Sequence, residues 1–260
     1  MAGVYIHIPF CRKACHYCNF HFSTSLQLKD EFIEALLKEI DLRRDYLQNQ
    51  TVKTIYFGGG TPSLLSIDIL ELIINNVMKQ FNVVSDAEIT LEANPDDITE
   101  ENLKAWKIVG IDRLSIGVQS FFDEDLQWMN RLHNAQSATD SLQLVIKHFD
   151  NITIDLIYGT PTLTDEKWKA NLEKIFELNV PHLSCYALTV EPKTALQKMI
   201  ALKKKEDVNN EQQSRQFLQL MDWAKEKGYE HYEISNFAKP GFRSKHNSSY
   251  WQGKHYLGLG

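Results

Sequence analysis

The chain lacks several features that would settle its class at once. No apolar run approaches the roughly 18–20 residues of a membrane span. No basic stretch, apolar core and cleavage site follow Met1, so a cytoplasmic protein with reduced thiols is expected. Charge of one sign is not in excess: 28 basic and 34 acidic residues leave a net charge of −6. The longest basic run, Lys203 to Lys205, is followed at once by Glu206 and Asp207, so no nucleic-acid footprint is present. Peripheral contact with a membrane stays open. Cysteine is scarce, with four residues in 260, and the cluster of three at Cys11, Cys15 and Cys18 has no fourth beside it.

That missing fourth cysteine is informative because the three sit in PFCRKACHYCNF, directly after an apolar strand-like run. A C-x3-C-x2-C loop lets three thiolates converge on one inorganic centre. A structural zinc needs a fourth ligand, which His7, His16 or His21 would supply. A 4Fe-4S cluster held by three thiolates instead leaves one iron open to a small molecule. Cys185 lies far along the chain in the apolar run LSCYALTV and reads as a small core residue.

Short β-rich runs alternate with helical patterns. Strands are expected at Val4 to Ile8, Thr54 to Phe57, Glu88 to Glu92, Arg113 to Val118, Ile152 to Ile157, His182 to Leu188 and His231 to Ser235. Helices are expected at Lys29 to Leu47, Ile67 to Phe81, Thr99 to Ile108, Ser137 to Phe149, Asp165 to Leu178 and Asn210 to Lys227. Trp106, Trp168 and Trp223 fall in helical patterns and read as packing residues. Strict alternation of this kind makes an α/β fold with a parallel sheet, either open or barrel-like. Polar residues recur at the ends of successive strands, which suits the C-terminal mouth of a barrel.

Four of those ends carry most of the signal. The YFGGGTPS segment, with Gly59, Gly60 and Thr61, removes Cβ atoms where the chain turns, so its backbone can approach a ligand closely. No Lys-Ser/Thr follows, which excludes a P-loop. Glu92 in TLEANPDD can accept two hydrogen bonds from a ribose, or simply end a strand. Gln119 lies in SIGVQSF and Asp155 in ITIDLIYG. An acid among Ile154, Leu156 and Ile157 is costly to bury unpaired, so Asp155 is expected to face the mouth or to pair with a cation such as Arg131.

The cysteine loop after an N-terminal strand resembles the cluster-binding signature of the radical S-adenosylmethionine (SAM) superfamily. YIHIPFCRKACHYCNF resembles the branch containing oxygen-independent coproporphyrinogen III oxidase and its relative, the heme chaperone. The resemblance covers essentially the whole chain. It implies a partial (β/α)6 TIM-like barrel in which Cys11, Cys15 and Cys18 hold a 4Fe-4S cluster. SAM would chelate the open iron and be cleaved by an electron to a 5'-deoxyadenosyl radical, the cofactor carrying the hard chemistry. It further implies SAM contacts from Tyr5, Tyr17, Gly59, Gly60, Thr61, Glu92, Gln119, Arg131 and Asp155.

Two departures choose within that branch. The oxidase has another cysteine two residues after the third ligand, where this chain has Phe20. KHNSSYWQGKHYLGLG also contains an HNxxYW pattern, His246, Asn247, Tyr250 and Trp251, which resembles the heme-chaperone signature. An imidazole beside two large aromatics can serve a heme, with His246 contacting iron. The implied function is heme binding and delivery to an acceptor protein, with an unidentified electron donor. Oxidative decarboxylation of coproporphyrinogen III and a zinc-stabilised barrel are the alternatives. Residues 1–260 would form the core domain, with an extension beginning near residue 230. The family's C-terminal region is expected to lie beyond YLGLG, leaving a barrel edge uncovered.

Overall fold

The computed structural model describes residues 1–260. They divide into two compact units, and each is discontinuous in sequence. The first comprises Met1–Arg12, Phe20–Ser115 and Ser244–Gly260; the second comprises Lys13–Asn19 and Ile116–Arg243.

In the first unit, β1 (Ala2–Ile8), β2 (Val52–Gly59) and β3 (Val83–Ala93) alternate with α1 (Lys29–Leu42), α2 (Ile67–Gln80) and α3 (Glu100–Ile108). β4 (Arg113–Gln119) starts here and ends in the second unit. The chain returns with α9 (Lys245–Trp251) and β9 (His255–Leu259), and the strand order is β3-β2-β1-β9. β1 pairs in parallel with both β2 and β9, and β2 with β3. Val4, Ile6, Ile8, Ile55 and Phe57 are wholly buried, as expected of parallel strands covered on both faces. β9 was not anticipated; it pairs with β1 and is itself the outer strand on that side.

In the second unit, α4 (Asp123–Met129) and α5 (Ala135–Val145) lead to β5 (Asn151–Tyr158), α6 (Asp165–Glu177) and β6 (His182–Ala187). After α7 (Ala195–Ala201) and α8 (Asn210–Glu226), a small hairpin of β7 (Glu230–His231) and β8 (Asn236–Ala238) adds antiparallel to β6. The order is β7-β8-β6-β5.

The differences from expectation have local causes. α1 stops at Leu42, because Arg43 and Arg44 occupy the next core-facing turn and Gln48 and Asn49 adopt left-handed φ. β3 begins earlier than its apolar stretch, through exposed Ser85 and Asp86, with a register shift against β2. The span read as a strand from His231 to Ser235 is mostly the hairpin's turn, closed by Tyr232 N–H on Asn236 O and by Ser235 N–H on the Glu233 carboxylate. α5 starts two residues early because Asn134 and Ser137 form a reciprocal capping box. Thr99 caps α3 as its sequence suggests, accepting from Asn102 N–H at 3.1 Å.

Trp106 and Trp168 are buried as packing residues, Trp168 with its indole N–H donating to Gln216 O at 3.0 Å, whereas Trp223 is only half-buried. Trp168→Ala should cost about 3–5 kcal/mol, from lost contact plus a cavity. Denaturant unfolding checks this, with Trp168→Phe expected to lose much less because it keeps most of the ring volume.

Candidate functional site

In the first unit the glycine turn packs on the stem of the cysteine loop. Gly60 N–H donates to Ile8 O at 2.8 Å. A Cβ on Gly60 would lie 2.7 Å from Phe10 O and 2.8 Å from Ile8 O, so any side chain there must displace backbone beside Cys11. Gly59 has φ +107, and a Cβ there would lie 2.5 Å from the His7 ring. Close approach does explain these glycines, and part of what they approach is the chain itself.

Thr61 Oγ1 donates to Cys11 Sγ at 3.6 Å and accepts from Asn94 Nδ2 at 3.2 Å. A donor aimed at sulfur favours the thiolate form. Sequence reasoning missed a neighbouring clamp. Buried Asp97 accepts from Arg12 Nη2 at 2.7 Å and from Ser63 Oγ at 2.6 Å, tying the residue after Cys11 to the Pro95–Asp97 turn. Its only hint is the NPDD sequence, in which either aspartate reads as solvated.

Cys15, Tyr17 and Cys18 belong to the second unit. Asn130 Nδ2 donates to Ala14 O at 2.7 Å, His16 N–H to Met129 O, and Leu196 N–H to His16 O, so the loop is seated on the end of α4. Arg131 Nη1 lies 3.4 Å from Cys15 Sγ, and Nη2 donates to Gly117 O at 2.7 Å. Burial alone would lower the Arg131 pKa, but Tyr17 and Cys15 more than offset it and the pKa is raised. Burial raises the Tyr17 phenol against the opposing pull of Arg131. The Tyr17 ring packs on a cluster of Leu126, Met129, Ile157, Leu188 and Leu196.

The remaining predicted residues sit at strand ends. Glu92, near the end of β3, accepts from Tyr56 Oη at 2.8 Å. Tyr5 is half-buried, stacked at 6.0 Å on Tyr56, and its pKa is raised by burial and by the Glu92 charge. Gln119 ends β4 with φ +69. Asp155 is half-buried within β5, near Cys185, whose thiol is pushed up mainly by burial. Cys185 is thus the core residue its sequence suggested.

All four cysteines are outside disulfides, and the three loop cysteines are partly accessible. The donor set fits a 4Fe-4S cluster: three thiolates, with a hydroxyl at one sulfur and a guanidinium at another to stabilise negative charge. Among His, Cys, Asp and Glu side chains, no group of three stands as a single-ion site. A cube presents a different iron to each thiolate, so its ligands need no common point. Of the histidines near the loop, His7 Nε2 donates to His21 O at 2.9 Å and His16 Nδ1 to Trp128 O at 3.2 Å.

His246 departs from expectation. It is 1% exposed, with Nδ1 paired to Thr54 Oγ1 at 2.8 Å and Nε2 to Tyr250 Oη at 2.9 Å. Its ring stacks on Tyr56 at 4.9 Å, and its backbone N–H donates to Glu88. Both nitrogens are occupied, so His246 presents none to an iron. It is the pin that fixes α9 to β1 and β2. The exposed members of the motif are Tyr250 and Trp251, at 41% and 62%, and Tyr256 at 48% stands edge-on to Tyr250.

A family model described as the radical SAM superfamily matches residues 5–175. The chain is 37% identical over 260 residues to the heme chaperone HemW of Lactococcus lactis, aligning 99% of itself with 68% of that protein. It is 36% identical to HemW of Escherichia coli, with 99% and 68% aligned. Among solved structures it is similar to coproporphyrinogen III oxidase (HemN) from Escherichia coli, a radical SAM enzyme, with a TM-score of 0.84 and 27% identity. That match takes in the whole chain but only 63% of the oxidase. The α/β partial-barrel fold expected from the sequence is the fold of that structure.

The buried imidazole has a measurable consequence. Burial, with Arg113 nearby, lowers the His246 pKa from 6.5 to about 4. The unfolded chain therefore binds a proton below about pH 6.5 that the folded protein refuses until about pH 4, so stability is lost as pH falls through that window. His246 should account for about 3 kcal/mol of that loss. Urea unfolding at about pH 7 and about pH 4.5 should show a shallower decline in His246→Gln than in wild type.

Proposed function

The chain belongs to the radical SAM superfamily and, within it, to the heme-chaperone family, and from that membership we propose that it binds heme and delivers it to acceptor proteins. The superfamily's cofactors are a 4Fe-4S cluster and SAM. The observation that carries the proposal is the identity to proteins named heme chaperones along nearly the full chain. Phe20, 67% exposed where the oxidase has its additional cysteine, supports the same choice. The likeness to the oxidase structure favours the second reading, anaerobic decarboxylation of coproporphyrinogen III, at lower identity.

On this reading Cys11, Cys15 and Cys18 hold the cluster. Gly59, Gly60 and Thr61 border the methionine end of SAM, and Glu92, anchored by Tyr56, receives the ribose. Tyr5, Tyr17, Gln119, Arg131 and Asp155 complete the SAM contacts. The open faces of Tyr250, Trp251 and Tyr256 support a macrocycle site in which His246 is not the iron ligand. The part of the relatives that extends beyond this chain's matched length is proposed to cover the mouth. An electron donor and a heme acceptor are its proposed partners. No helix is long and apolar enough to cross a membrane, and a cytoplasmic location remains part of the proposal.

Anaerobic reconstitution with iron and sulfide should give cluster absorbance that Cys15→Ala abolishes. A full-length homologue of this chain should bind about one heme and should leave coproporphyrinogen III unconverted under reducing conditions. Trp251→Ala should weaken heme binding about tenfold, a loss of stacking near 1.4 kcal/mol, while His246→Gln leaves the Soret maximum in place. Robust decarboxylation by the wild type would instead establish the oxidase reading.

A further inference from the structure

Gln119 closes β4 in a conformation that a side-chain-bearing residue rarely holds. Its φ is +69, and Ser120 N–H turns back on Val118 O at 2.9 Å. This is a three-residue turn of the strained hand. Such backbone persists only where its surroundings over-determine it.

The surroundings here are polar and largely buried. Val118 O accepts a second hydrogen bond from His133 Nε2 at 2.9 Å, which fixes the Nε2–H tautomer. Burial and the Arg131 charge lower the His133 pKa to about 4, so the ring is neutral and keeps that role. Ser120 Oγ donates to Asp125 Oδ2 at 2.7 Å and accepts from Asn171 Nδ2 at 3.2 Å. Asn171 Oδ1 then accepts from Phe121 N–H at 2.8 Å. Thr162 Oγ1 donates to the other oxygen of Asp125 at 2.5 Å. Ser120, Asp125 and Asn171 are essentially inaccessible and His133 nearly so. They come from β4's end, α4, α6 and the segment after α4, and none is needed merely to fill apolar volume.

We infer that His133, Ser120, Asp125 and Asn171 are positioning residues that hold the strained turn and thereby aim the Gln119 side chain at SAM. This rests on the reading that Gln119 contacts SAM. Arg131 donates to Gly117 O two residues before the turn while lying against Cys15 Sγ, so the same support reaches the cysteine loop.

SAM binding to the anaerobically reconstituted chain tests this, with cluster absorbance and Tm measured on each variant. Gln119→Ala tests the underlying reading: wild-type SAM affinity in that variant would remove Gln119 from the site. If Gln119→Ala weakens binding, His133→Leu should weaken it about fivefold to tenfold with cluster absorbance intact, the effect of losing about one hydrogen bond. His133→Gln, which keeps an N–H at the Nε2 position, should restore most of the affinity. Unchanged affinity in His133→Leu, or equal loss in both His133 variants, would overturn the positioning role. Should His133→Leu fail to fold, Ser120→Ala decides: a loss of about threefold or more supports the inference, and wild-type affinity refutes it. Independently, Gln119→Gly should melt a few degrees above Gln119→Ala, because glycine relieves positive φ. Equal Tm values would show that the turn stores no strain.

Discussion

A guanidinium held largely away from water beside a thiol and a phenol is the interaction on which the seating of Cys15 and Tyr17 in the second unit depends. Arginine suits it because it stays protonated at any pH the protein meets, so burial cannot remove the charge. The charge must instead be satisfied, and Arg131 finds Cys15, Tyr17 and Gly117 O within reach. Sulfur and phenol compensate a charge that burial alone would disfavour. Lysine would supply one point charge where this site uses a fork, one arm on sulfur and the other on a strand-end carbonyl.

The sequence revealed architecture better than attachment. Six strands and six helices were legible because buried parallel strands and amphipathic helices repeat with distinct periods, as Leu70, Ile73, Ile74 and Val77 show in α2. α4, α7 and α9 were not, since each has only seven residues, too few for a period to emerge. β9 was hidden for another reason: only Leu257 and Leu259 in its five residues are buried, and glycine separates them, so little of an apolar run shows.

The cysteine triplet was legible because soft ligands at short spacing have few other uses in a chain with reduced thiols. His246 was misread for the complementary reason. Histidine beside aromatics is equally the pattern of an imidazole packed between rings, and sequence cannot tell which atoms its nitrogens face. Thr54, far away in sequence, takes one of them, and Tyr250, four residues on, takes the other. His133, Asp125 and Asn171 went unnoticed on the same grounds: their partners, Val118 O, Phe121 N–H and the hydroxyls of Ser120 and Thr162, come from separate elements that no motif links.

The pairing of β9 with β1 joins the last strand of the chain to the first. During synthesis β1 emerges early and can pair with β2 once that strand follows, yet its other edge waits for residues made much later. The intervening second unit can collapse around its own core in the meantime. Until β9 is in place, one edge of β1 is open, and Leu257 and Leu259 lack the burial they have in the folded unit. Ala2 pairs with His255, so this edge closes a far longer loop than any pairing of neighbouring strands, and its closure carries the larger entropic cost.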